Sequence, residues 1–454
     1  MQNGTLLAAI DLGSNSFRLE IGRLNHGQVH RTEYLKETVR QGNGLAADRH
    51  LTLEAMQRGW DCLARFAERL AGFRKHQVRA VATQTLREAR NRDVFLRKAN
   101  EILGFPIEVI SGREEARMIY QGVAHLLPQS PERRLVIDIG GRSTELILGQ
   151  NLNAEVMESY RLGSVAWSMK YFESGVLTEA AFKRAEIAAK AILDEALSSY
   201  SRQHWDTAYG SSGTVGAIAD ILQAAGWSTG VISREGLDWL QRCLMRVGHA
   251  NKLRMEGLKE DRRAVIGGGI SVMRAVFDLL DIETLQVAQG ALRHGVLYDM
   301  LEREDAGSDT RSQTVTRLLT TFGVDTLQAQ RVSKVARNLL QQLHQGKTTP
   351  DLERLERKLG WAAQLHEIGS QISHSDYHKH GAYILDNADA LGFALPELHR
   401  LSLLVLGHRG KIRKLEVDFD DDSFIKQLMA LRLAVILCHA RRDPDYKSLR
   451  QIGR

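Results

Sequence analysis

The fold of this chain is decided by the stretch Arg134-Leu-Val-Ile-Asp138-Ile-Gly140-Gly141-Arg142-Ser143-Thr144-Glu145-Leu-Ile-Leu-Gly-Gln150. Leu135–Ile137 is a short apolar, β-branched run, which predicts a buried strand that ends at Asp138. The two glycines that follow would let the chain turn with positive φ and bring backbone N–H groups close to an anion. Thr144–Leu148 then predicts a second strand. The N–H groups of such a turn suit a phosphate, and the acid beside it suits a divalent cation. Turns with an acid and glycines are also common in ordinary hairpins.

A second copy of this pattern lies near the N-terminus, as Leu7-Ala-Ala-Ile10-Asp11-Leu12-Gly13-Ser14-Asn15-Ser16-Phe17-Arg18-Leu19. It again predicts a strand, an acid, a glycine turn with hydroxyl groups and a second strand. Asp11 and Asp138 lie 127 residues apart, a spacing that favours a duplicated domain over a short solenoid repeat. Two such hairpins facing each other across a cleft would hold a phosphate chain from both sides.

With these motifs the sequence resembles the actin-like phosphotransferase superfamily and, within it, the exopolyphosphatase / guanosine pentaphosphate phosphohydrolase family. The matching residues occur in family order over the first two-thirds of the chain: Asp11–Ser16, Thr85–Arg87, Ile110–Arg117, Asp138–Glu145, Ser211–Thr214 and Gly290–Arg293. The resemblance implies two actin-like (ribonuclease H-like) α/β domains that form a cleft, over 1–124 and 125–303. An all-α, HD-like domain over 304–454 is expected to follow, without the further C-terminal domain of longer members. The polar stretch Leu301–Thr310 predicts the linker before it.

The resemblance also implies the roles of individual side chains. Glu115 is expected to orient or deprotonate the water that attacks the terminal phosphorus, while Glu114 fits a helix-cap acid. Asp138, Glu145 and Asp11 are expected to hold Mg²⁺ or its waters, because hard oxygen donors suit this ion, and stimulation by K⁺ is left open. The expected phosphate ligands are Ser14, Asn15, Arg87, Gly140, Gly141, Ser143, Ser164, Ser212, Gly213 and Thr214.

Local patterns support several of these assignments. Arg87 comes just after the predicted strand Val78–Ala82, and a guanidinium offers two parallel donors to a phosphate. Ser111 is a natural N-cap for the helix that continues over Ala116–His125. Ser211–Thr214 predicts a glycine turn before the helix Val215–Ala224, where N–H groups can hold an anion, although alone it would be an ordinary capping turn.

Two positions of the α/β region depart from the family pattern. Arg142 stands where the family usually has Gly or Ala, so it either adds a cation for phosphate or narrows the turn. Gln289 stands where the family usually has Asp, which would weaken any role of that acid with a metal or nucleoside.

The last third of the chain resembles the core of an HD-type phosphohydrolase over Trp361–Gly369 and the histidines that follow. Glu367 replaces the Asp of the His-Asp pair, and no histidine occurs between His294 and His344. We therefore expect an HD-like fold that has lost its metal. Its role would be a basic path for a long anion, along His378, Lys379, His380 and Arg409, or dimerisation.

Charge and composition limit the other function classes. The net charge is +6, and residues 1–124 hold 19 Lys and Arg against 14 Asp and Glu, which would attract an anionic polymer. No aromatic platform or nucleic-acid motif is recognisable, so no specific nucleic acid is expected. Three scattered cysteines, no signal peptide and no apolar run long enough to span a bilayer predict a cytoplasmic protein. Peripheral association at the inner membrane surface is left open.

The expected function is Mg²⁺-dependent hydrolysis of the terminal phosphoanhydride bond of inorganic polyphosphate, with release of orthophosphate. Guanosine pentaphosphate is the alternative substrate, because the same loops serve both. A non-catalytic sensor of guanosine tetraphosphate or polyphosphate and an ATP-dependent kinase of the same superfamily also stay open. A homodimer is expected.

Overall fold

The computed structural model describes residues 1–303, 309–344, 350–388, 390–412, 415 and 420–444. Contacts within the chain divide it into two compact units, Met1–Glu304 and Asp305–Arg454. The middle of the expected linker Leu301–Thr310, residues 304–308, lies outside the described residues. No helix in the described parts of the chain is both long enough and apolar enough to cross a membrane.

The first unit contains two sheets with one common topology. The first sheet has the order β3-β2-β1-β4-β5, in which β1 pairs antiparallel with β2 and parallel with β4. Its strands are β1 (Leu6–Leu12), β2 (Phe17–Asn25), β3 (Gln28–Glu37), β4 (Val78–Ala82) and β5 (Ile107–Val109). We call residues 1–124, which contain this sheet, the first lobe.

The second sheet repeats this arrangement in residues 125–303, which we call the second lobe. Its order is β10-β11-β9-β6-β7-β8, so β6 takes the central place of β1, between an antiparallel β7 and a parallel β9. Its strands are β6 (Arg133–Ile139), β7 (Thr144–Gln150), β8 (Asn153–Tyr160), β9 (Thr207–Ser211), β10 (Val231–Ser233) and β11 (Thr284–Val287). The duplicated topology confirms the expected fold class of two actin-like α/β domains.

Helices cover both sheets of the first unit. They are α1 (Leu53–Arg69), α2 (Gln84–Glu88), α3 (Arg92–Leu103), α4 (Gly112–Ala124), α5 (Ser164–Tyr171), α6 (Glu179–Leu193), α7 (Leu197–Tyr200), α8 (Ser212–Ala224), α9 (Arg234–Val247), α10 (Ile266–Leu279) and α11 (Leu292–Glu302). Short 3₁₀ turns lie at Gln41–Gly44, Lys75–Gln77, Glu173–Gly175, Asp194–Ala196, Arg202–His204, Ala250–Lys252 and Glu260–Val265. The predicted strand Val78–Ala82 is confirmed in full, whereas α8 begins three residues before the predicted helix start.

Strand pairing explains why the two aspartates reach the same region. β1 and β6 are buried over nearly their whole length, as their aliphatic runs predict. Each is followed by a hairpin, and the register places Asp11 opposite Arg18 and Asp138 opposite Glu145. Both acids therefore lie at the ends of the central strands.

Helix α11 crosses from one lobe to the other. Its residues follow the second sheet in sequence, yet α11 packs against α4, β1, β2 and β4 of the first lobe. Asp299 of α11 is buried there and pairs with Arg117 of α4 and Arg79 of β4. Burial alone would raise the pKa of Asp299, but the charges of Arg117, Arg79 and Arg303 outweigh it and hold this pKa well below its usual range.

The second unit is helical in its described parts. Its helices are α12 (Thr310–Thr321), α13 (Thr326–Leu343), α14 (Pro350–Gln364), α15 (Tyr377–Asn387), α16 (Leu395–Gly407) and α17 (Asp422–Leu437), with a 3₁₀ turn at Ile368–Gln371. They enclose a core in which Trp361 meets Phe393 edge to face at 5.1 Å. The cysteines of the chain are free: Cys62 and Cys438 are buried, and Cys243 is half-buried.

Candidate active site

A cavity of about 370 Å³ lies between the two lobes, where the hairpin turns after β1 and β6 meet. Ten of the fourteen site residues expected from the sequence line it: Asp11, Ser14, Asn15, Glu115, Asp138, Gly140, Gly141, Ser143, Ser212 and Gly213. Arg87, Glu145, Ser164 and Thr214 do not line it. The two copies of the motif thus share one cleft.

Close packing, and not left-handed backbone, explains the glycines of these turns. The expectation of a positive φ was wrong, because neither Gly140 nor Gly141 has φ in the left-handed region. A Cβ atom on Gly141 would lie 3.1 Å from the Cβ of Ser14 in the opposite turn. A Cβ on Gly140 would lie 3.0 Å from the Ser143 carbonyl oxygen. A side chain at Gly141 would therefore crowd the opposite turn, and one at Gly140 would crowd its own turn.

Glu115 reaches the cavity from the first turn of α4. Ser111 caps this helix as expected, with its hydroxyl accepting from the Glu114 N–H at 3.1 Å. Glu114 differs from a simple cap acid, because it is fully buried and accepts two bonds from Arg117 at 2.9 and 2.8 Å. The two neighbouring acids thus do different things: Glu114 pairs within the protein, and Glu115 faces the cavity.

Arg87 holds the Glu115 carboxylate instead of lining the cavity. Its Nη1 and Nη2 donate to Glu115 Oε2 at 3.1 and 3.2 Å, and Nη1 also donates to the Ile110 carbonyl at 2.7 Å. Burial raises the pKa of Glu115 to about 7; Arg87 opposes the rise, and the charges of Asp11 and Asp138 add to it. A carboxylate with such a pKa can gain or lose a proton near neutral pH.

The other acids of the site are also buried. Burial raises the pKa of Asp138 to about 6, although Ser211 and Arg18 favour its ionised form. Glu145 lies opposite Asp138 in the strand register and accepts from the Ser159 hydroxyl at 2.7 Å. Burial and the charges of Glu115 and Asp138 raise the pKa of Glu145 well above its usual range, which favours its protonated form. Asp11 pairs with Arg18 at 2.9 Å.

The acids of the cavity fit Mg²⁺ only if waters and substrate phosphates supply its remaining ligands. Among the described residues, no group of three or more His, Cys, Asp or Glu side chains could hold a metal ion by itself. Mg²⁺ is usually bound by one or two carboxylates together with waters and substrate phosphates. Asp11 and Asp138 line the cavity, and their charges add to the rise in the pKa of Glu115 that burial causes. Asp11 and Asp138 therefore suit a Mg²⁺ ion whose other ligands are phosphate oxygens and waters.

Five basic side chains that the sequence analysis did not assign to the site line one part of the cavity, which we call the basic wall. They are Arg18, Lys36, Lys259, Arg262 and Arg293. Burial lowers the pKa of Arg262, and the nearby charge of Arg18 adds to this. Its guanidinium lies directly on Gly213, where a Cβ would be 2.2 Å from Arg262 Nη2. The β1–β2 register could have shown Arg18 from the sequence, because it places Arg18 opposite Asp11.

The remaining predicted phosphate ligands support the turns from outside the cavity. Ser164 donates through its hydroxyl to the Gly140 carbonyl at 3.1 Å. Thr214 is buried, and its N–H donates to the Ser212 hydroxyl at 3.1 Å. Ser212 itself has φ of 101°, an unusual value for a residue with a side chain. Its hydroxyl also accepts from the Val215 N–H at 3.3 Å, so helix α8 satisfies these two N–H groups itself.

The two departures from the family pattern have different surroundings. Gln289 lines the cavity. Arg142 does not: its guanidinium donates to Glu88 Oε2 at 3.2 and 3.3 Å and to the Gly42 carbonyl at 3.2 Å. Glu88 and Gly42 thus occupy the guanidinium of Arg142, for which the sequence analysis expected either a cation for phosphate or a narrowing of the turn.

In the second unit, three histidines come together where the sequence resembles an HD core. The rings of His366 and His408 meet at right angles with centroids 5.4 Å apart, and His378 lies 6.2 Å from His408. Burial lowers the pKa of all three, that of His408 to about 3. Lys379 and His380 follow on the same helix, and Arg409 lies over the Tyr377 ring. These imidazoles are neutral at physiological pH.

Comparison with known proteins gives consistent matches along the chain. The Ppx/GppA phosphatase family model matches residues 21–304, and the model of Ppx/GppA phosphatase domain III matches residues 310–452. Two relatives, each named guanosine-5′-triphosphate,3′-diphosphate pyrophosphatase, come from Vibrio cholerae serotype O1 and Pseudoalteromonas translucida. The first is 40% identical over 450 residues, covering 99% of this chain and 90% of the relative. The second is 41% identical over 439 residues, covering 96% and 88%.

Solved structures show the same fold. An exopolyphosphatase from Cytophaga hutchinsonii superposes with a TM-score of 0.59 at 24% identity, covering 65% of this chain and 98% of that one. The Ppx/GppA family member of Aquifex aeolicus gives a TM-score of 0.55 at 24% identity, covering 66% and 99%. The family models and the full-length relatives together establish that this chain belongs to the Ppx/GppA phosphatase family.

Proposed function

We propose that this chain hydrolyses the terminal phosphoanhydride bond of guanosine pentaphosphate, releasing orthophosphate and leaving guanosine tetraphosphate. The observation that carries the proposal is the 40–41% identity, over nearly the whole chain, to relatives named for this activity. The sequence analysis placed inorganic polyphosphate first and the nucleotide second. The names of these relatives favour the nucleotide, which therefore takes the first place here.

In this proposal, Glu115 takes the proton of the attacking water. The water oxygen bonds to the terminal phosphorus, the bond from that phosphorus to its bridging oxygen breaks, and the remaining nucleotide leaves with the bridging oxygen. A pKa of about 7 suits a general base, because the group is partly ionised at neutral pH and still accepts a proton well. Arg87 would keep the carboxylate in place, since both of its terminal nitrogens donate to Glu115 Oε2.

The turns and the basic wall would bind the phosphates. Ser14, Asn15 and Ser143 line the cavity between the two turns and can donate to the transferring phosphoryl group. Asp11 and Asp138 would hold Mg²⁺, which when bound supplies charge neutralisation to the phosphates. The basic wall gives the more distant phosphates several cations at once, as a substrate with two phosphate chains requires.

Inorganic polyphosphate is the second candidate, favoured by the same basic wall. Lysine and arginine side chains attract any phosphate chain, so the basic wall does not discriminate between a nucleotide and inorganic polyphosphate. A kinase of the same superfamily would transfer the phosphoryl group to another substrate, and a sensor would bind without turnover.

The expected homodimer stays a prediction, which a measurement of the molar mass by light scattering would test.

The test is phosphate release from equal phosphate concentrations of guanosine pentaphosphate and long-chain polyphosphate, with Mg²⁺ or with EDTA. We expect Mg²⁺-dependent release that is fastest from the nucleotide. Glu115→Gln should remove turnover and keep nucleotide binding, while Glu101→Gln, which changes an exposed glutamate of α3, should match the wild type. Faster release from polyphosphate would select the second candidate, and binding without release from either substrate would select a sensor.

A further inference from the structure

Arg142 connects the two lobes through its side chain. It lies in the turn between β6 and β7 of the second lobe, yet its guanidinium donates to two groups of the first lobe. Nη1 donates to the Gly42 carbonyl at 3.2 Å, and Nε and Nη2 donate to Glu88 Oε2 at 3.3 and 3.2 Å. Both side chains of the pair are less than one-fifth exposed. Solvent therefore screens this ion pair less than one on the surface.

Glu88 continues the connection towards the cavity. Its other oxygen, Oε1, accepts from Gln84 Nε2 at 2.7 Å. Gln84 Oε1 in turn accepts from Arg87 Nε at 3.0 Å, and Arg87 donates to Glu115. The amide of Gln84 can take only this orientation, because the reverse would place its NH₂ group against the guanidinium and its oxygen against the carboxylate.

A second branch of the same contact reaches the Asp11 turn. The Gly42 N–H donates to the Ser14 carbonyl at 2.7 Å. A Cβ atom on Gly42 would lie 3.2 Å from Arg142 Cδ and 3.1 Å from the Ser14 Cβ, so the arginine lies flat against a residue without a side chain. The position of Arg142 is thus fitted to its surroundings in the first lobe.

We propose that Arg142 is a positioning residue, which joins the lobes and thereby fixes the orientation of Glu115. The connection passes through Glu88, Gln84 and Arg87 in that order. The inference rests on the proposed function, because it takes Glu115 as the group that receives the proton of water. When Arg142 releases Glu88, the carboxylate of Glu88 and the amide of Gln84 become free to turn. Arg87 then loses one of the groups that hold it against Glu115.

The experiment compares Arg142→Ala, Arg142→Lys and Glu88→Gln with the wild type, in phosphate release over pH 5 to 9. We expect Arg142→Ala to lower kcat about tenfold, the range for loss of one charged hydrogen-bonded pair, with KM changed little. The acid limb of the profile should move to higher pH, because a less restrained Arg87 lowers the pKa of Glu115 less. Arg142→Lys, which keeps a cation for Glu88, should recover part of both losses.

A double variant separates a chain of contacts from independent effects. Arg142→Ala added to Glu88→Gln should lower kcat no further than the single changes, because the connection is already broken. Asp11, Asp138 and Glu145 also face Glu115 and stay unchanged in every variant, so they contribute equally to all profiles. Additive losses would overturn the proposal. A higher KM with kcat and the acid limb unchanged would also overturn it, and would indicate that Arg142 binds the substrate.

The outcome can be told apart from a failure of the proposed function. A wild type that releases phosphate from no phosphoanhydride rejects the proposed function, whatever the variants do. The positioning of Glu115 is then read from stability: a higher pKa of Glu115 widens the difference in melting temperature between wild type and Arg142→Ala from pH 5 to pH 8. A constant difference overturns the inference, since a merely structural contact predicts the same loss at both pH values.

Discussion

Replacement of Asp138 by Asn should stabilise the first unit and abolish its activity. Asp138 is 8% exposed, and burial raises its pKa from 3.8 to about 6. Because the folded pKa lies above the unfolded one, the native state binds the proton more tightly. The free energy of unfolding therefore falls as the pH rises from 3.8 to 6, and it is constant above that range. Asparagine has nearly the same shape and no such cost.

The size of the effect follows from the two pKa values. The ionised carboxylate costs about 3 kcal/mol at pH 8 and about half of that at pH 5, relative to a residue that does not ionise. Asp138→Asn should raise the free energy of unfolding by these amounts. For a unit of this length, about 3 kcal/mol corresponds to a rise of about 5 °C in the melting temperature.

Unfolding in urea, followed by tryptophan fluorescence, measures this difference. Five of the six tryptophans lie within Met1–Glu304, so the signal reports mainly the first unit. Asp299→Asn is the matched control: its pKa is lowered by paired arginines, so the variant should lose about 3–5 kcal/mol equally at pH 5 and pH 8. A gain from Asp138→Asn that is equal at both pH values, or a loss at pH 8, would refute the reasoning from buried charge.

Three further predictions concern the metal, the base and the second unit. Mg²⁺ should raise the melting temperature of the first unit more at pH 8 than at pH 5, because Asp138, with a pKa of about 6, is ionised at the higher pH. Equal shifts in calorimetry at the two pH values would contradict binding through Asp138. Arg87→Gln should move the acid limb of phosphate release above about 7, since the guanidinium lowers the pKa of Glu115, and a downward shift would contradict this. The second unit should lose about 2 kcal/mol between pH 8 and pH 5, because His408, with its pKa near 3 when folded and 6.5 when unfolded, resists protonation in the native state. His408→Gln should flatten this dependence in fluorescence of Trp361, and an unchanged slope would assign it to other groups.

The repeated hairpins could be predicted because each is encoded locally. An aliphatic run, an acid, a glycine turn and a second strand stand next to one another in sequence, so this local order of residue types is enough to find them. The same holds for the helix cap at Ser111, whose partner is three residues away. The expected positive φ failed for a different reason. Gly141 is needed because Ser14, which lies far away in the chain, packs against it, and Gly140 is needed because the turn closes tightly on Ser143.

The basic wall and the contacts of Arg142 could not be predicted in this way. Lys36, Arg262 and Arg293 come from a strand, a 3₁₀ turn and a helix that only the tertiary fold brings together. Arg142 was visible as an unusual residue, but its partner Glu88 lies 54 positions earlier, in another lobe. Similarly, a guanidinium is a common phosphate ligand, but the residues next to Arg87 in sequence do not show that its guanidinium pairs with Glu115. The sequence thus shows which side chains are available, but their partners lie far away in the chain and are known only from the folded structure.

The position of α11 has a consequence for how the chain acquires its structure during synthesis. Arg79 and Arg117 are buried in the first lobe, and their common partner Asp299 is made about 180 residues after Arg117. A nascent chain that has emerged only as far as the first lobe already contains Glu108, which pairs with Arg79, and Glu114, which pairs with Arg117, but it lacks Asp299. The hydrogen bonds that both buried guanidinium groups make to Asp299 are then missing, which is a costly state. We therefore expect the first lobe to complete its packing only after the end of the second lobe has been synthesised. A fragment that ends at Ala124 should stay incompletely folded, although it contains every strand of its own sheet.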